Sequence, residues 1–265
     1  MSEEHDADAG AGAEDVTRLD RVEDGAVRIS WTLDVHAEGH WAAVDVVRRE
    51  VEQALTVHGR VEAWVEAEDV PGQRLATWAG LRREGVRRGP DRDHVVYARL
   101  ASDLPASEPE GFRALLNSFL PRKRAISQML VRDHDGRVLL CQLTYKRDWD
   151  LPGGVVEVGE SPQLAVSREV DEELGLEIKA GGLVLTDWLP SWSGWDDALC
   201  LVFDGGVHDA SILDDVVREE REIRSAAFCT LDEVRERAAD FTARRIEAAL
   251  ANLREGGTPY TESGR

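Results

Sequence analysis

Acidic side chains crowd one short segment of the sequence, residues 153–176, which reads GGVVEVGESPQLAVSREVDEELGL. Its only basic residue is Arg168. Its six acidic residues are Glu157, Glu160, Glu169, Asp171, Glu172 and Glu173. Like charges three or four positions apart on a helix repel each other by about 0.2–0.5 kcal/mol per pair. The carboxylates therefore either form a solvated acidic face or surround a positively charged ligand.

The same segment predicts a helix with clear start and stop signals. Ser161 is a suitable N-cap, Pro162 fits the first helical position, and Gly175 fits the C-terminal stop. Apolar residues recur every four positions and can face the core: Val166, Val170 and Leu174. With this face buried, the acidic side chains are expected on the remaining faces of the helix.

Three of the carboxylates are expected on one face, because Glu169, Glu172 and Glu173 stand at positions i, i+3 and i+4. Carboxylate oxygens are the ligands that hard divalent cations such as Mg²⁺ prefer, and a bound cation would relieve the repulsion. Gly153 and Gly154 let the backbone approach closely, so the carbonyl of Gly153 is a candidate further ligand. Spacing alone leaves the solvated face and the metal site both open, because the whole chain is acidic.

The segment also resembles the Nudix box: a glycine, five residues, a glutamate, seven residues, then Arg-Glu-apolar-x-Glu-Glu-x-Gly-apolar. All nine defined positions match: Gly154, Glu160, Arg168, Glu169, Val170, Glu172, Glu173, Gly175 and Leu176. The resemblance extends over about residues 122–260. It implies an α/β/α sandwich with the box as loop–helix–loop, and a hydrolase of nucleoside diphosphates linked to another group.

The resemblance implies a role for each matched residue. Glu169, Glu172 and Glu173 would hold Mg²⁺ or Mn²⁺, with the carbonyl of Gly153 as a further ligand. Glu169 could instead act as the base, with Arg168 orienting it, and the implied catalytic set is Glu169, Arg168 and Glu172. The residues that would support the box are Gly154, Glu160 and Gly175.

A further acidic ligand is expected outside the box, near a later strand, because many members of the family use one there. The segment VVREEREIRS (216–225) offers three candidates: Glu219, Glu220 and Glu222. We favour Glu222 as a metal ligand. The alternative is an exposed acid on a charged turn.

Tryptophans near the box are candidates for substrate binding. Trp149 precedes the box, and LPSWSGWDD (189–197) places Trp192 and Trp195 in a loop expected to be flexible. A nucleobase stacked on such a side chain would gain about 1–3 kcal/mol. Packing at the edge of the core is the alternative. The MutT-like character of the region points to nucleoside triphosphates as the default substrate.

The first half of the chain resembles part of another family, the GNAT N-acetyltransferases. Residues 59–100 are similar to the C-terminal half of that fold, and HAEGHWA (36–42) stands where the family has its acyl-CoA loop. Only Gly39 of that loop pattern remains, since His36 replaces the usual Arg or Gln and Trp41 occupies a small position. Further departures are Asp69, Gly72 and Leu81. A degenerate docking or dimerising module is therefore expected.

Composition shifts divide the chain into four parts: an acidic disordered tail (1–24), a partial GNAT-like α/β region (25–104), a linker (105–121) and a Nudix domain (122–265). A strand is expected over 27–35. FRALLNSFL (112–120), in the linker, is expected to form a short helix that packs on the second region. The predicted fold class is α/β (α+β).

Charge and cysteine content limit the partners and the compartment. A formal net charge of −20 opposes binding of nucleic-acid polymers and anionic membranes. Three separated cysteines in apolar runs predict buried free thiols: Cys141, Cys200 and Cys229. Neither a signal peptide nor a long apolar segment is visible, so a cytoplasmic protein is expected.

The sequence therefore predicts a metal-dependent Nudix pyrophosphohydrolase acting on a small nucleotide. Two alternatives remain at this stage: a Nudix-like domain that senses a nucleotide without cleaving it, and residual acetyl transfer by the first half. The half-sheet expected in the first region would expose an edge, which allows a homodimer.

Overall fold

The computed structural model describes residues 16–32, 40–257 and 259–265. The chain divides into two compact units, Met1–Pro121 and Arg122–Arg265, and each has hydrophobic clusters of its own. None of the helices in these described ranges is long and apolar enough to cross a membrane.

The first unit is a five-stranded mixed sheet with helices. Its elements are β1 (Thr17–Glu23), β2 (Ala26–Trp31), α1 (His40–Leu55), β3 (Arg60–Glu66), α2 (Val70–Trp78), β4 (Arg82–Arg87), β5 (His94–Leu100) and α3 (Pro109–Phe119). The strand order is β1-β2-β3-β5-β4, with β2 and β3 parallel and the other neighbours antiparallel. Apolar residues of α1 and α2 pack against alternate residues of β3 and β5 to form its core.

The prediction of a disordered tail over residues 1–24 is wrong for residues 17–23, which form β1. Residues 1–15 lie outside the described residues, but β1 pairs antiparallel with β2, with Leu19 opposite Ile29. Gly25, after Asp24, has a φ of 79° and closes the hairpin. Backbone hydrogen bonds between the strands thus order a segment whose composition is mostly polar.

The predicted strand over 27–35 corresponds to β2, which ends at Trp31. Residues 33–39 lie outside the described residues, and they include His36 and Gly39 of the predicted acyl-CoA loop. The structure therefore gives no geometry for that loop. α1 begins directly after it, at His40.

Helix α3 lies inside the segment predicted as a linker, and it belongs to the first unit. We expected this helix to pack on the second region, but it packs on β4. Ser118 accepts a hydrogen bond through Oγ from the backbone N–H of Arg83 at 3.1 Å. This bond pairs a backbone N–H at the edge of the sheet. The periodicity of a local segment cannot indicate which surface a helix packs on, so the sequence did not predict this contact.

The second unit is built on an eight-stranded sheet. Its elements are β6 (Arg124–Asp133), β7 (Val138–Leu143), β8 (Trp149–Asp150), β9 (Gly153–Val155), α4 (Pro162–Leu174), β10 (Leu183–Leu189), β11 (Ala198–His208), a 3₁₀ helix (Ala210–Asp215), β12 (Ile223–Cys229), α5 (Leu231–Arg237), α6 (Asp240–Glu255) and β13 (Tyr260–Glu262). The main order is β12-β7-β6-β11-β10-β13, and β8 and β9 pair with β7 and β6.

Helices cover both faces of this sheet. Along β6, Met129 and Val131 join the cluster that contains the apolar face of α4, whereas Leu130 joins the cluster formed with α5 and α6. This alternation is the two-residue period of a strand that is buried on both sides. The predicted α/β/α sandwich is confirmed for the second unit.

A buried aspartate fastens the C-terminal segments to the sheet. Asp187 of β10 is fully buried, and its Oδ2 accepts a hydrogen bond from Nε of Arg245 in α6 at 2.8 Å. Its Oδ1 accepts hydrogen bonds from Oγ1 of Thr261 and the backbone N–H of Gly264, each at 2.8 Å. A single carboxylate thus joins β10, α6 and the β13 segment.

We expect Asp187→Asn to destabilise the protein by about 3 kcal/mol, because it leaves the buried guanidinium of Arg245 without its ion-pair partner. The free energy of unfolding is measured by urea denaturation of the full chain. Asp135→Asn is the control, since the Asp135 side chain is 79% exposed. Equal denaturation midpoints for the two variants would contradict this role of Asp187.

Candidate active site

Helix α4 forms where the sequence predicts it and carries the acidic residues. Gly175 ends the helix in the left-handed conformation, and its N–H donates to the carbonyl of Asp171 at 2.7 Å. Ser161 occupies the N-cap position in an extended conformation, but its side chain makes no capping hydrogen bond. The apolar residues that face the core are the expected ones: Val166, Val170 and Leu174.

One guanidinium, that of Arg168, holds three carboxylates of the segment. Its Nε and Nη2 donate to the two oxygens of Glu160 at 2.9 and 3.0 Å. Nη2 also lies 3.0 Å from Oε1 of Glu169, and Nη1 donates to Oε2 of Glu172 at 2.8 Å. The hydrogen bond to Glu160 is the main cause that raises the pKa of Arg168, and it lowers the pKa of Glu160. Arg168 is thus fixed as a cation.

Glu173 is buried, in contrast to the other acidic residues of the helix. Its Oε2 accepts a hydrogen bond from the backbone N–H of Gly153 at 2.9 Å. Burial is the main cause that raises the pKa of Glu173 to about 8; the hydrogen bond from Gly153 opposes this rise, and the charges of Glu169 and Glu222 add to it. Burial also raises the pKa of Glu169, although Arg168 opposes this effect. The site therefore concentrates negative charge where water solvates it poorly.

The two glycines before the box are required by close contacts. Gly153 has a φ of 132°, and a Cβ there would lie 2.2 Å from the carbonyl oxygen of Ser127. At Gly154, a Cβ would lie 2.6 Å from the carboxylate carbon of Glu169. Because these two residues lack side chains, the β9 backbone can lie against β6 at Gly153 and against the Glu169 carboxylate at Gly154.

The side chains of the three predicted metal ligands on α4 differ in exposure. Glu173 is buried, the side chain of Glu169 is 16% exposed, and that of Glu172 is 59% exposed and held by Arg168. Within the described ranges, no three His, Cys, Asp or Glu side chains come close enough together to hold a metal ion.

Glu222, the predicted ligand outside the box, lies directly before β12. Its carbonyl accepts a hydrogen bond from the N–H of Thr144 at 2.8 Å. Its charge raises the pKa of both Glu169 and Glu173. The structure therefore brings Glu222 into the electrostatic neighbourhood of the α4 carboxylates.

A cavity of about 300 Å³ adjoins Gly153 and Gly154, and its walls combine aromatic, aliphatic and charged residues. The aromatic residues that line it are Tyr145, Trp149, Trp192, Trp195 and Phe241. Trp192 and Trp195 belong to a tight hairpin, since their backbones exchange hydrogen bonds at 3.0 and 2.9 Å. The loop was expected to be flexible, but these bonds and the edge contact of Trp192 with Phe241 at 5.5 Å fix the wall.

Polar residues that the sequence reasoning missed line the same cavity. They are Arg124, Gln128, Asp148, Asp150, Asp196, Thr242 and Arg245. Asp150 accepts hydrogen bonds from Nζ of Lys146 at 2.7 Å and Nε2 of Gln128 at 2.8 Å. These residues come from strands, loops and a helix far apart in the chain, and no local motif marks them or Phe241.

Comparison with known proteins concerns mainly the second unit. Residues 121–250 match the family described as NUDIX domain. A MutT-like protein of Streptomyces ambofaciens is 32% identical over 143 residues, which are 52% of this chain and 81% of that protein. The nucleoside triphosphatase NudI of Escherichia coli is 33% identical over 112 residues, which are 39% of this chain and 74% of that protein.

Two solved structures are similar over the same part of the chain. The MutT protein from Methanosarcina mazei Go1 superposes with a TM-score of 0.44 at 24% identity, covering 52% of this chain and 100% of that one. A UDP-X diphosphatase superposes with a TM-score of 0.44 at 21% identity, covering 61% of this chain and 77% of that one.

We expect Glu173→Gln to stabilise the protein in EDTA, and to do so more at pH 8 than at pH 5. Glu173 binds its proton more tightly in the folded chain than in the unfolded one, whose carboxyl has its ordinary pKa near 4.5. The stability due to this group is therefore complete below that pKa and is lost as the pH rises towards about 8. Glutamine cannot ionise and avoids the loss.

Thermal melts at the two pH values measure this difference. The advantage of Glu173→Gln over the native chain is expected to grow by roughly 5 °C between pH 5 and pH 8. Glu177→Gln, at an exposed position four residues away, serves as the control. An advantage that is equal at both pH values would show that ionisation of Glu173 does not destabilise the fold.

Proposed function

The chain belongs to the Nudix hydrolase family, and from this premise we propose that its second unit hydrolyses a pyrophosphate bond in a nucleoside diphosphate linked to another group. The observation that carries the proposal is a buried carboxylate, Glu173, next to the fixed Arg168–Glu169 pair and beside an aromatic cavity. A domain that only binds nucleotides would need no such oriented pair.

We propose that Mg²⁺ or Mn²⁺ binds at the carboxylates. The described carboxylates lie too far apart to hold an ion as they stand, so binding would draw Glu169, Glu173 and Glu222 together. Their chemistry fits a hard cation, because carboxylate oxygens are its preferred ligands and the charges of these residues already influence one another. Glu172 and the carbonyl of Gly153 complete the proposed set. A bound divalent ion would neutralise phosphate oxygens and lower the pKa of bound water.

The residues of this chain supply the rest of the proposed mechanism. Glu160 holds Arg168, and Arg168 holds the carboxylate of Glu169 in place at 3.0 Å. Glu169 accepts the proton of the attacking water as general base. The water oxygen adds to one phosphorus, the bridging P–O bond breaks, and the products are a nucleotide and a phosphorylated remainder.

Nucleoside triphosphates are the first substrates that we propose. Support comes from the names of the relatives, since NudI is named a nucleoside triphosphatase. The aromatic cavity beside Gly153 is large enough for one heterocycle, and the proposed cation site lies directly beyond that glycine. A nucleobase and its phosphates could occupy the two places together.

For the GNAT-like region, residues 25–104, we propose a docking or dimerising role without acetyl transfer. Trp41 replaces the small residue expected at the end of an acyl-CoA loop, is 60% exposed and packs against Trp78 at 5.8 Å. Asp69 caps α2 by accepting a hydrogen bond from the N–H of Gly72 at 2.9 Å. This bond gives a structural reason for Asp69 and Gly72, two residues that depart from the acetyltransferase pattern. Strands β1 and β4 end the sheet and offer edges for a second copy.

We expect a panel of nucleotides with Mg²⁺ to yield monophosphate and pyrophosphate, or a phosphorylated remainder. Glu173→Gln should lower turnover by more than ~10²-fold, because it removes a proposed ligand while keeping the hydrogen bond from Gly153. Product is measured by chromatography, and Glu177→Gln is the active control. Normal turnover by Glu173→Gln would refute the proposed metal set, and tight nucleotide binding without turnover would support a sensor.

Gly154→Ala tests the position of Glu169 separately. The added Cβ would push the Glu169 carboxylate away from β9, so kcat/KM should fall by at least about tenfold, with the melting temperature changed by less than about 3 °C. Gly182→Ala is the matched control, because a Cβ there meets no atom within 4 Å. Full activity of Gly154→Ala would contradict the proposed role of Glu169.

A further inference from the structure

Strand β1 leaves one edge of the first unit's sheet open. In the described part of the chain its single strand neighbour is β2. The strand at the opposite end of the sheet, β4, packs against α3, and its N–H of Arg83 already donates to Oγ of Ser118. An uncovered row of backbone donors and acceptors can pair with a strand of another chain. β1 is therefore the edge at which this sheet can be extended.

The outward backbone groups of β1 belong to alternate residues. The N–H of Thr32 donates to the carbonyl of Val16 at 3.1 Å, and this bond identifies the hydrogen-bonded pairs between β1 and β2. In an antiparallel ladder such pairs alternate, so Arg18 and Asp20 also bond to β2. The residues between them direct their N–H and C=O groups to the open side, and they are Thr17, Leu19 and Arg21.

The core of the first unit ends at this edge with an apolar side chain. Leu19 stands directly opposite Ile29, which is buried in the cluster formed with α1 and α2. Opposite residues of a ladder lie on the same face of the sheet, so Leu19 is on the face that carries the core. It is nevertheless 41% exposed. A further strand beside β1 would cover it.

Charged residues occupy the other face of β1. Arg18 and Asp20 are two positions apart, and Nη2 of Arg18 lies 2.6 Å from Oδ1 of Asp20. Val16 and Val22 flank this pair on the same face, and both are exposed. Along this face the order is therefore apolar, basic, acidic, apolar. Such an order is complementary to itself when the direction of the strand is reversed.

This order fits one antiparallel register between two copies of the strand. With Leu19 opposite Leu19 of the second copy, each Arg18 faces Asp20 of the other strand, and each Val16 faces Val22. These are non-hydrogen-bonded positions, where opposite side chains come closest. Moving the register by one step either way places Arg18 opposite Arg18 or Asp20 opposite Asp20, and like charges in opposite positions are destabilising. Charges on an edge strand commonly prevent pairing, but here they favour a single partner and register.

We propose that the first unit forms a homodimer in which β1 strands of two copies pair antiparallel about a two-fold axis at Leu19. The two five-stranded sheets would join into one continuous sheet, with the two cores meeting at that residue. The proposal rests on the docking or dimerising role proposed above for this region, and it names the surface and the partner. It does not depend on the proposed hydrolysis, which concerns the second unit.

The oligomeric state of the full chain tests the proposal first. Sedimentation equilibrium is measured at about 0.15 M salt, where charges act over about 8 Å, so that the net charge of −20 does not mask the local pairs. We expect the mass of a dimer at about 50 µM, because a small interface commonly dissociates in the micromolar range. The mass of a monomer at that concentration would overturn the proposal.

Charge reversal tests the register with two matched variants. Arg18→Asp and Asp20→Arg each place like charges at both facing pairs, so each should raise the dissociation constant of the dimer by at least about tenfold. An equal mixture of the two variants should restore association, because every facing pair is then opposite in sign. Thermal melts check that both variants are folded.

Arg113→Asp is the control for charge reversal. Arg113 is an exposed arginine of α3, the helix that packs at the other end of the sheet, so its reversal should leave the dimer unchanged. A dimer that survives both reversals on β1 would refute this surface but keep the proposed dimerising role. A mixture of the two β1 variants that stays monomeric would contradict the register.

Cross-linking locates the two-fold axis. Leu19→Cys brings the Cα atoms of the two introduced cysteines to about 5.5 Å, which a disulfide spans, so oxidation should cross-link most of the dimer. The native cysteines are buried. Arg21→Cys is the matched control on the same face, because its two Cα atoms would lie about 14 Å apart. Cross-linking of Arg21→Cys but not of Leu19→Cys would overturn the proposed register.

Discussion

Negative charge gathers in the C-terminal half of α4, where Glu169, Glu172 and Glu173 lie and where the helix dipole already contributes partial negative charge. No basic residue lies in the last turn of the helix to offset it. Repulsion of this kind destabilises a helix. The contacts around α4 are best understood as means of keeping these charges close together in spite of that cost.

Three kinds of contact hold the charges. Arg168 binds Glu160, Glu169 and Glu172 at once, so a single cation serves both the loop and the helix. The N–H of Gly153 donates to Glu173, which replaces part of the water lost on burial. Apolar packing on both faces of the sheet supplies the stability that the charged region lacks. This division, with a stable sandwich carrying an unfavourable site, is typical of functional centres.

The sequence predicts α4 well because every signal for it is local. The proline at the first position, the glycine stop and the apolar residues four apart all lie within the helix or beside it. The same reasoning fails for β1, whose polar residues are ordered only by pairing with β2. It fails as well for α3. Periodicity predicts the helix, but the surface on which the helix packs depends on tertiary contacts that periodicity does not determine.

The carboxylate site was partly predictable and the cavity beside it much less so. The box spacing indicates Glu173 and the glycines, but it does not show that Glu173 is buried while Glu172 is exposed. Arg245 is the clearest omission, since an arginine in an amphipathic helix is ordinarily assigned to the surface. Its burial depends on Asp187, 58 residues away, and on Gln128, 117 residues away. Such long-range ion pairs have no local signature.

The carboxylate site on α4 and the cavity beside it differ in charge, since the first is acidic and the second is lined by two arginines. The carboxylates of α4 repel phosphate unless a cation intervenes, whereas Arg124, Arg245 and several tryptophans line the neighbouring cavity. A nucleotide in the reverse orientation would leave its base among carboxylates and away from the tryptophans that line the cavity. For the proposed nucleotide substrate, this arrangement would favour one direction of binding, with the ring in the cavity and the phosphates beside Glu173.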